Sequence, residues 1–173
     1  MLYAGVLKFK CNVPSRTPLI GALQFACGCE RCSLKGPDLL ADDELQMEIK
    51  DLDQSIKQTA PRDPLLALKY CEERVGLLED DGFVDPCEFL RTEFDAFQIC
   101  LQERSGKLIA QAPWWIAQAY LHSAMARGAT HVQTVRLEKF MDHPCSLPAV
   151  AEAIAEGSLP SDFQTQVSKA FVA

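Results

Sequence analysis

Six residues in this chain have the types and spacing to do chemistry as a unit: Cys27-Gly28-Cys29-Glu30-Arg31-Cys32. Three thiolates packed as C-x-C-x-x-C cannot all pair with one another as disulfides. A tight turn can instead aim three sulfurs at one point, the arrangement that tetrahedral Zn²⁺ takes up, with Zn–S bonds of about 2.3 Å. Gly28 lets the chain double back between the first two sulfurs. Arg31 and Lys35 offset part of the negative charge of such a site. The competing chemistry is thiol–disulfide exchange at Cys29-x-x-Cys32, but a redox motif of that kind belongs between a strand and a helix, and no βαβ pattern surrounds it.

Five further cysteines complete the eight in the chain. Cys71 falls on an apolar helical stripe and Cys100 beside one, so both are expected to be small buried hydrophobes. Cys87 and Cys145 have no assignment from spacing alone. No Ser-His-Asp arrangement can be argued from the three histidines, His122, His131 and His143. His122 keeps company with alanines and aromatics, which suits a packing role.

The elements that must position the cysteines divide the chain in two. Residues 1–36 hold four cysteines and four glycines but no helical stripe. Leu2 to Phe9 could form a short strand, favoured by Tyr3, Val6, Leu7 and Phe9 and weakened by Gly5. A segment so small cannot bury enough apolar surface to order itself, so a metal staple is expected.

From residue 37 onward the periodicity is helical. Leu45, Ile49, Leu52 and Ile56 share one face, with Asp42, Asp43 and Glu44 expected near the helix start and Pro61 at its stop. Asp63-Pro64 and Asp85-Pro86 each pair an N-cap with a proline at the first helical position. The first opens the stripe Leu65, Leu68, Cys71, Val75, Leu78, before Gly82. The second opens Leu90, Phe94, Phe97, Leu101, with a stop near Gly106. A helix from Pro113 to Gly128 places Ile116, Ala119, Tyr120 and Ser123 on one face, and Ala117 and Ala124 on a second, narrow one. Further helices are expected at 132–141, 148–156 and 162–172. Trp115 and Tyr120 stand too close together for a 34-residue tetratricopeptide pattern. The expected fold is mainly α: a small zinc-stapled N-terminal segment, residues 1–36, followed by antiparallel helical hairpins over residues 37–173.

Charge follows the same division. Residues 1–36 carry five Lys/Arg against one Asp/Glu, and the remainder twelve against twenty-three. An acidic body argues against wrapping nucleic acid and suits a basic peptide or protein partner. The chain has no run of about 20 apolar residues to span a membrane. Its first ten residues do not read as a signal peptide, because the charges follow the short apolar stretch. A cytoplasmic or nuclear setting, where thiols stay reduced, is therefore expected.

Phe25-Ala26-Cys27-Gly28-Cys29-Glu30-Arg31-Cys32, with Arg16 and Leu19 upstream, resembles the post-SET element of the SET-and-MYND protein lysine methyltransferases. In that family a helical domain follows the zinc cluster. The motif covers about residues 14–35, and the rest agrees in class only. The resemblance implies methyl transfer from S-adenosylmethionine to a protein lysine in a complete SET protein. It places Phe25 near the adenine or the lysine channel. It makes Tyr3 the active-site tyrosine, whose hydroxyl orients the amine and stabilises charge during transfer. It also departs from the family. The Asn-His dipeptide is missing, since the single Asn12 precedes Val13; so are the Gly-rich cofactor loop and the MYND module, and Leu23 stands where a second aromatic is expected. The chain thus reads as a portion beginning at the last strand of a SET domain. The fourth zinc ligand has two candidates: Cys11, sixteen residues before Cys27 with Pro14, Pro18 and Gly21 allowing a return, and a cysteine of the absent Asn-His segment.

Overall fold

A computed structural model describes residues 30–81, 85–102, 106–143, 146–159, 161 and 163. All the regular structure among them is helical: α1 (Glu30–Ser33), α2 (Gly36–Thr59), α3 (Pro64–Asp80), α4 (Pro86–Gln102), α5 (Gly106–Ile109), α6 (Ala112–Arg127), α7 (Val132–Asp142) and α8 (Pro148–Ala155). The possible strand at Leu2–Phe9, the metal staple, and all of the 162–172 helix except Phe163 lie outside the described residues.

The start and stop signals act through identifiable bonds. The Asp63 carboxylate accepts the Leu66 backbone N–H at 3.0 Å, and Pro64 follows at the first helical position. Asp85 does the same for Cys87 at 2.9 Å, ahead of Pro86. Gly128 ends α6 at φ +90°, a backbone region that side chains with a Cβ avoid, and its N–H closes on Ala124 O. Two expectations shift. The α2 helix begins at Gly36, so Asp42, Asp43 and Glu44 sit nearly two turns inside it. Gly106 opens α5 rather than closing α4, which ends at Gln102.

Consecutive helices pack side by side: α2 on α3, α3 on α4, α4 on α6 and α6 on α7. The connections are short, which forces neighbours to run antiparallel. The main core joins Ile56 of α2, Leu68 and Cys71 of α3, Leu90 and Phe97 of α4, Trp115, Ile116 and Ala119 of α6, and Leu137 of α7. Trp115 and Phe97 are its largest side chains, each 2% exposed. A satellite cluster of Ile109, Val150, Ala153, Leu159 and Phe163 covers one end. Leu65 leaves the expected stripe and is 57% exposed, because the buried face of α3 is centred on Ala67, Cys71, Arg74 and Leu78. Val75, Phe94 and Leu101 are only half-buried.

Candidate metal centre and its anchor

Of the residues that the sequence nominates for chemistry, Tyr3, Cys11, Phe25, Cys27 and Cys29 lie outside the described residues. Cys32 is in α1, but its side chain is not among those described. The described residues contain no cluster of His, Cys, Asp and Glu able to hold a metal by themselves. The fit of zinc therefore rests on the donor set: three thiols at C-x-C-x-x-C spacing, soft ligands that select Zn²⁺ or other thiophilic metals over hard cations.

What the structure adds is the way Arg31, the residue before Cys32, is fastened to the helices. Arg31, between Cys29 and Cys32, is 9% exposed. Its Nε donates to Asp42 Oδ1 of α2 at 3.0 Å, and its Nη2 donates to the Asp81 carboxylate just past α3. Gln46 Nε2 donates to Asp81 Oδ2 at 2.9 Å. Asp42 and Asp81 are 8% and 6% exposed. A carboxylate at the C-terminal end of a helix meets the negative pole of the helix dipole. Arg31 makes that position tenable, and its planar fork is suited to holding two carboxylates at once. The guanidinium, expected to balance thiolate charge, is engaged by these carboxylates. Asp42 lies seven residues before Ile49 and fourteen before Ile56, on the buried face of α2. That phase was a readable signal that its carboxylate has a buried partner.

Two more charged residues sit on core-facing stripes. Arg74 is 2% exposed; it donates to the Glu88 carboxylate and the Thr92 hydroxyl, and to Glu88 O at 3.2 Å. Glu93, also 2% exposed, bonds His122 Nδ1 at 2.9 Å, and Phe89 stacks on the imidazole with ring centroids 4.6 Å apart. Burial pushes the Glu93 carboxyl above its ordinary range, against the opposing pull of His122. Ser123, next in sequence to His122, turns its hydroxyl to Thr134 of α7 at 2.8 Å, and both residues are fully buried. The His122–Glu93 pair and the Ser123 hydroxyl therefore serve different interfaces, α4–α6 and α6–α7. His131 caps α7 through Nδ1, which accepts the Gln133 N–H at 3.3 Å.

The expectation for Cys71 and Cys100 holds: both are wholly buried. Burial, with Asp95 and Cys100 nearby, pushes the Cys71 thiol up to about 12, so it stays protonated and unreactive. Cys87 is half-buried, and burial and the Asp85 carboxylate raise its pKa too, with Arg127 pulling the other way. Cys145 lies outside the described residues. No helix among the described residues is long and apolar enough to cross a membrane. The chain matches no protein-family model, no curated protein and no solved structure.

Proposed function

We propose that this chain is the C-terminal part of a SET-domain protein lysine methyltransferase, supplying the zinc-bound closure of the SET domain and a helical lid beside the substrate cleft. The observation that carries this reading is the run Phe25-Ala26-Cys27-Gly28-Cys29-Glu30-Arg31-Cys32 leading directly into an array of helical hairpins, with Arg31 of that run clasped by α2 and the end of α3. Cys27, Cys29 and Cys32 would hold Zn²⁺, with Cys11 or a cysteine of the preceding SET segment in the fourth place. In the complete protein S-adenosylmethionine would supply the methyl group, with Tyr3 to orient the lysine amine and Phe25 to line the adenine site or the lysine channel. This chain's own residues do not make a donor site, for it has no Asn-His dipeptide and no Gly-rich loop.

Exposed carboxylates on α2 (Asp38, Glu44, Glu48 and Asp51) favour a basic protein segment as partner, as a lysine substrate would be. The same acidity supports a second reading, a non-catalytic module in which zinc only staples residues 1–36 and the helices bind a basic peptide. A zinc–thiolate site needs thiols that stay reduced, which favours the cytoplasm or nucleus for either protein.

Metal content and donor binding test the proposal together. Native mass spectrometry is expected to find one Zn²⁺ per chain, lost in Cys29→Ser; absence of tightly held zinc overturns both readings. Calorimetry is expected to detect no saturable binding of S-adenosylmethionine to this chain, because in-line positioning of the methyl donor requires a pocket it lacks. Cys11→Ser settles the fourth ligand: unchanged zinc affinity eliminates Cys11. Fusion to a SET segment that carries an Asn-His dipeptide should confer donor binding under the first reading and not under the second.

A further inference from the structure

We propose that the outer face of α2 takes up a basic helical segment of a partner protein, a placement that rests on the reading of the helices as an acidic surface for such a segment. Apolar side chains of that segment meet Leu40 and Met47, and its Lys/Arg side chains meet Glu44 and Asp51. Leu40 and Met47 are 64% and 56% exposed. Glu44 and Asp51 are exposed too, and the order Leu40, Glu44, Met47, Asp51 advances by four, three and four residues. That spacing sets all four in one line along the helix, opposite the buried side chains of Asp42, Ile49, Leu52 and Ile56. It is also the spacing of a coiled-coil seam, so the partner that fits is itself a helix, with apolar residues seven apart and cations between them. The line is about 16 Å long, three turns of helix.

Charge decides the occupant. Two other carboxylates of α2 are neutralised within the fold: Asp42 by Arg31, and Asp53 by Lys57 at 2.7 Å and by Arg91. Among the described residues Glu44, Glu48 and Asp51 have no such cation. Glu48 extends the acidity along one flank of the line, and Lys50, an exposed cation, stands on the other flank. A second copy fits badly. Pairing the line with itself in register sets Glu44 opposite Asp51 when antiparallel and opposite Glu44 when parallel, carboxylate against carboxylate in both cases. A basic helix meets the same positions with opposite charge and covers the two apolar side chains between them. Arg31 holds the start of α2 through Asp42, which fixes the phase of this face before a partner arrives and lessens the ordering lost on binding.

The test uses the full chain at physiological salt and a fluorescein-labelled helical peptide with leucines at heptad spacing and lysines between them. Fluorescence anisotropy is expected to show saturable binding, weakened about tenfold in Glu44→Lys/Asp51→Lys. Leu40→Ser/Met47→Ser should weaken it by about the same factor through lost apolar contact. A peptide with glutamate in place of every lysine should not bind. Glu152→Lys/Glu156→Lys makes the same change in net charge at exposed positions of α8 and its C-cap. It should alter the affinity less than about twofold, since exposed charges away from the contact are screened. Equal losses from the two charge reversals would overturn the α2 site and leave the general reading of a basic partner standing. Absence of saturable binding by the basic peptide would overturn both. A dimer of the chain, seen by light scattering and dispersed by Leu40→Ser/Met47→Ser, would give the face to a second copy and overturn the proposal as well.

Discussion

The α4–α6 interface and the junction of α1, α2 and α3 both bury charged residues, yet they cohere for different reasons. At α4–α6 the Glu93–His122 pair is set into a wall of apolar side chains, Phe97, Trp115 and Ile116 with the small Ala119. Remove the polar pair and most of the contact area remains. At the junction the contacts are polar: Arg31 bridges Asp42 and Asp81, and the Gln46 amide donates to the Asp81 carboxylate. Leu40 and Met47 on the adjoining stretch of α2 are 64% and 56% exposed. A buried ion pair gains little over a well-packed apolar replacement, but losing one partner is severe because the other is left charged and dry. The first region is held by area, the second by complementarity at a few atoms.

That contrast is most directly broken by deleting area. Trp115→Ala is expected to lower the unfolding free energy by about 3–5 kcal/mol, read from urea titration, since it removes the largest core side chain and leaves a cavity. A loss under about 1 kcal/mol would mean that the α4–α6 wall is not the principal source of stability.

At the junction, Arg31→Met takes a buried cation away from two buried carboxylates and should cost about 3 kcal/mol locally. Hydrogen exchange separates this from a global effect: protection should fall over residues 36–46 while α4 and α6 keep theirs. Equal loss throughout would erase the distinction between the two regions.

Acidity sharpens the comparison further. Glu93 is raised by burial, and Asp95 on the same helix is raised for the same reason despite Arg91, Lys57 and Arg74 nearby. A carboxyl that holds its proton more tightly when folded contributes fully below its unfolded value of about 4.5. That contribution is lost as pH climbs through the higher folded value. Thermal unfolding should show this decline, and Glu93→Gln should flatten it; an identical pH profile in the variant would remove Glu93 as its source. The smallest effect is expected at α6–α7. Ser123→Ala strands the Thr134 hydroxyl and should cost about 1–2 kcal/mol, whereas Ser123→Ala/Thr134→Val should recover most of the loss.

Much of the helical layout was legible because its signals are local. Asp63-Pro64 and Asp85-Pro86 specify caps within three residues, and Gly128 specifies a stop by its own backbone freedom. The same locality explains the misses. Leu65 reads as core by spacing from Leu68, but burial is decided by which side α2 and α4 approach, and that is a property of three helices. Asp42 reads as a helix-start residue because carboxylates favour N-termini, although its phase relative to Ile49 and Ile56 marks it as core-facing. Glu93 and Arg74 carry the same mark on α4 and α3. Phase shows that each such charge needs a buried partner; only the packing shows that the partners are Arg31, His122, and Glu88 with Thr92. The proposed metal site rests on the sequence alone: C-x-C-x-x-C is a compact donor set, whereas a fourth ligand from a distant segment has no local signature.

The unequal lengths of the first hairpin have a mechanical consequence. With 24 residues in α2 and 17 in α3, the first helix is about 36 Å long and the second about 26 Å, so α2 outreaches its neighbour by about 10 Å. Left alone, an overhanging rod pivots about its hinged end, and here the hinge is the tight turn at residues 60–63. Arg31 acts as a cross-brace at the opposite end, tying the α2 stem to the tip of α3 through Asp42 and Asp81. A hairpin fixed at both ends transmits torque rather than absorbing it. Twisting of α2 against α3 is thereby delivered to the backbone at Arg31 and to the flanking residues Glu30 and Cys32.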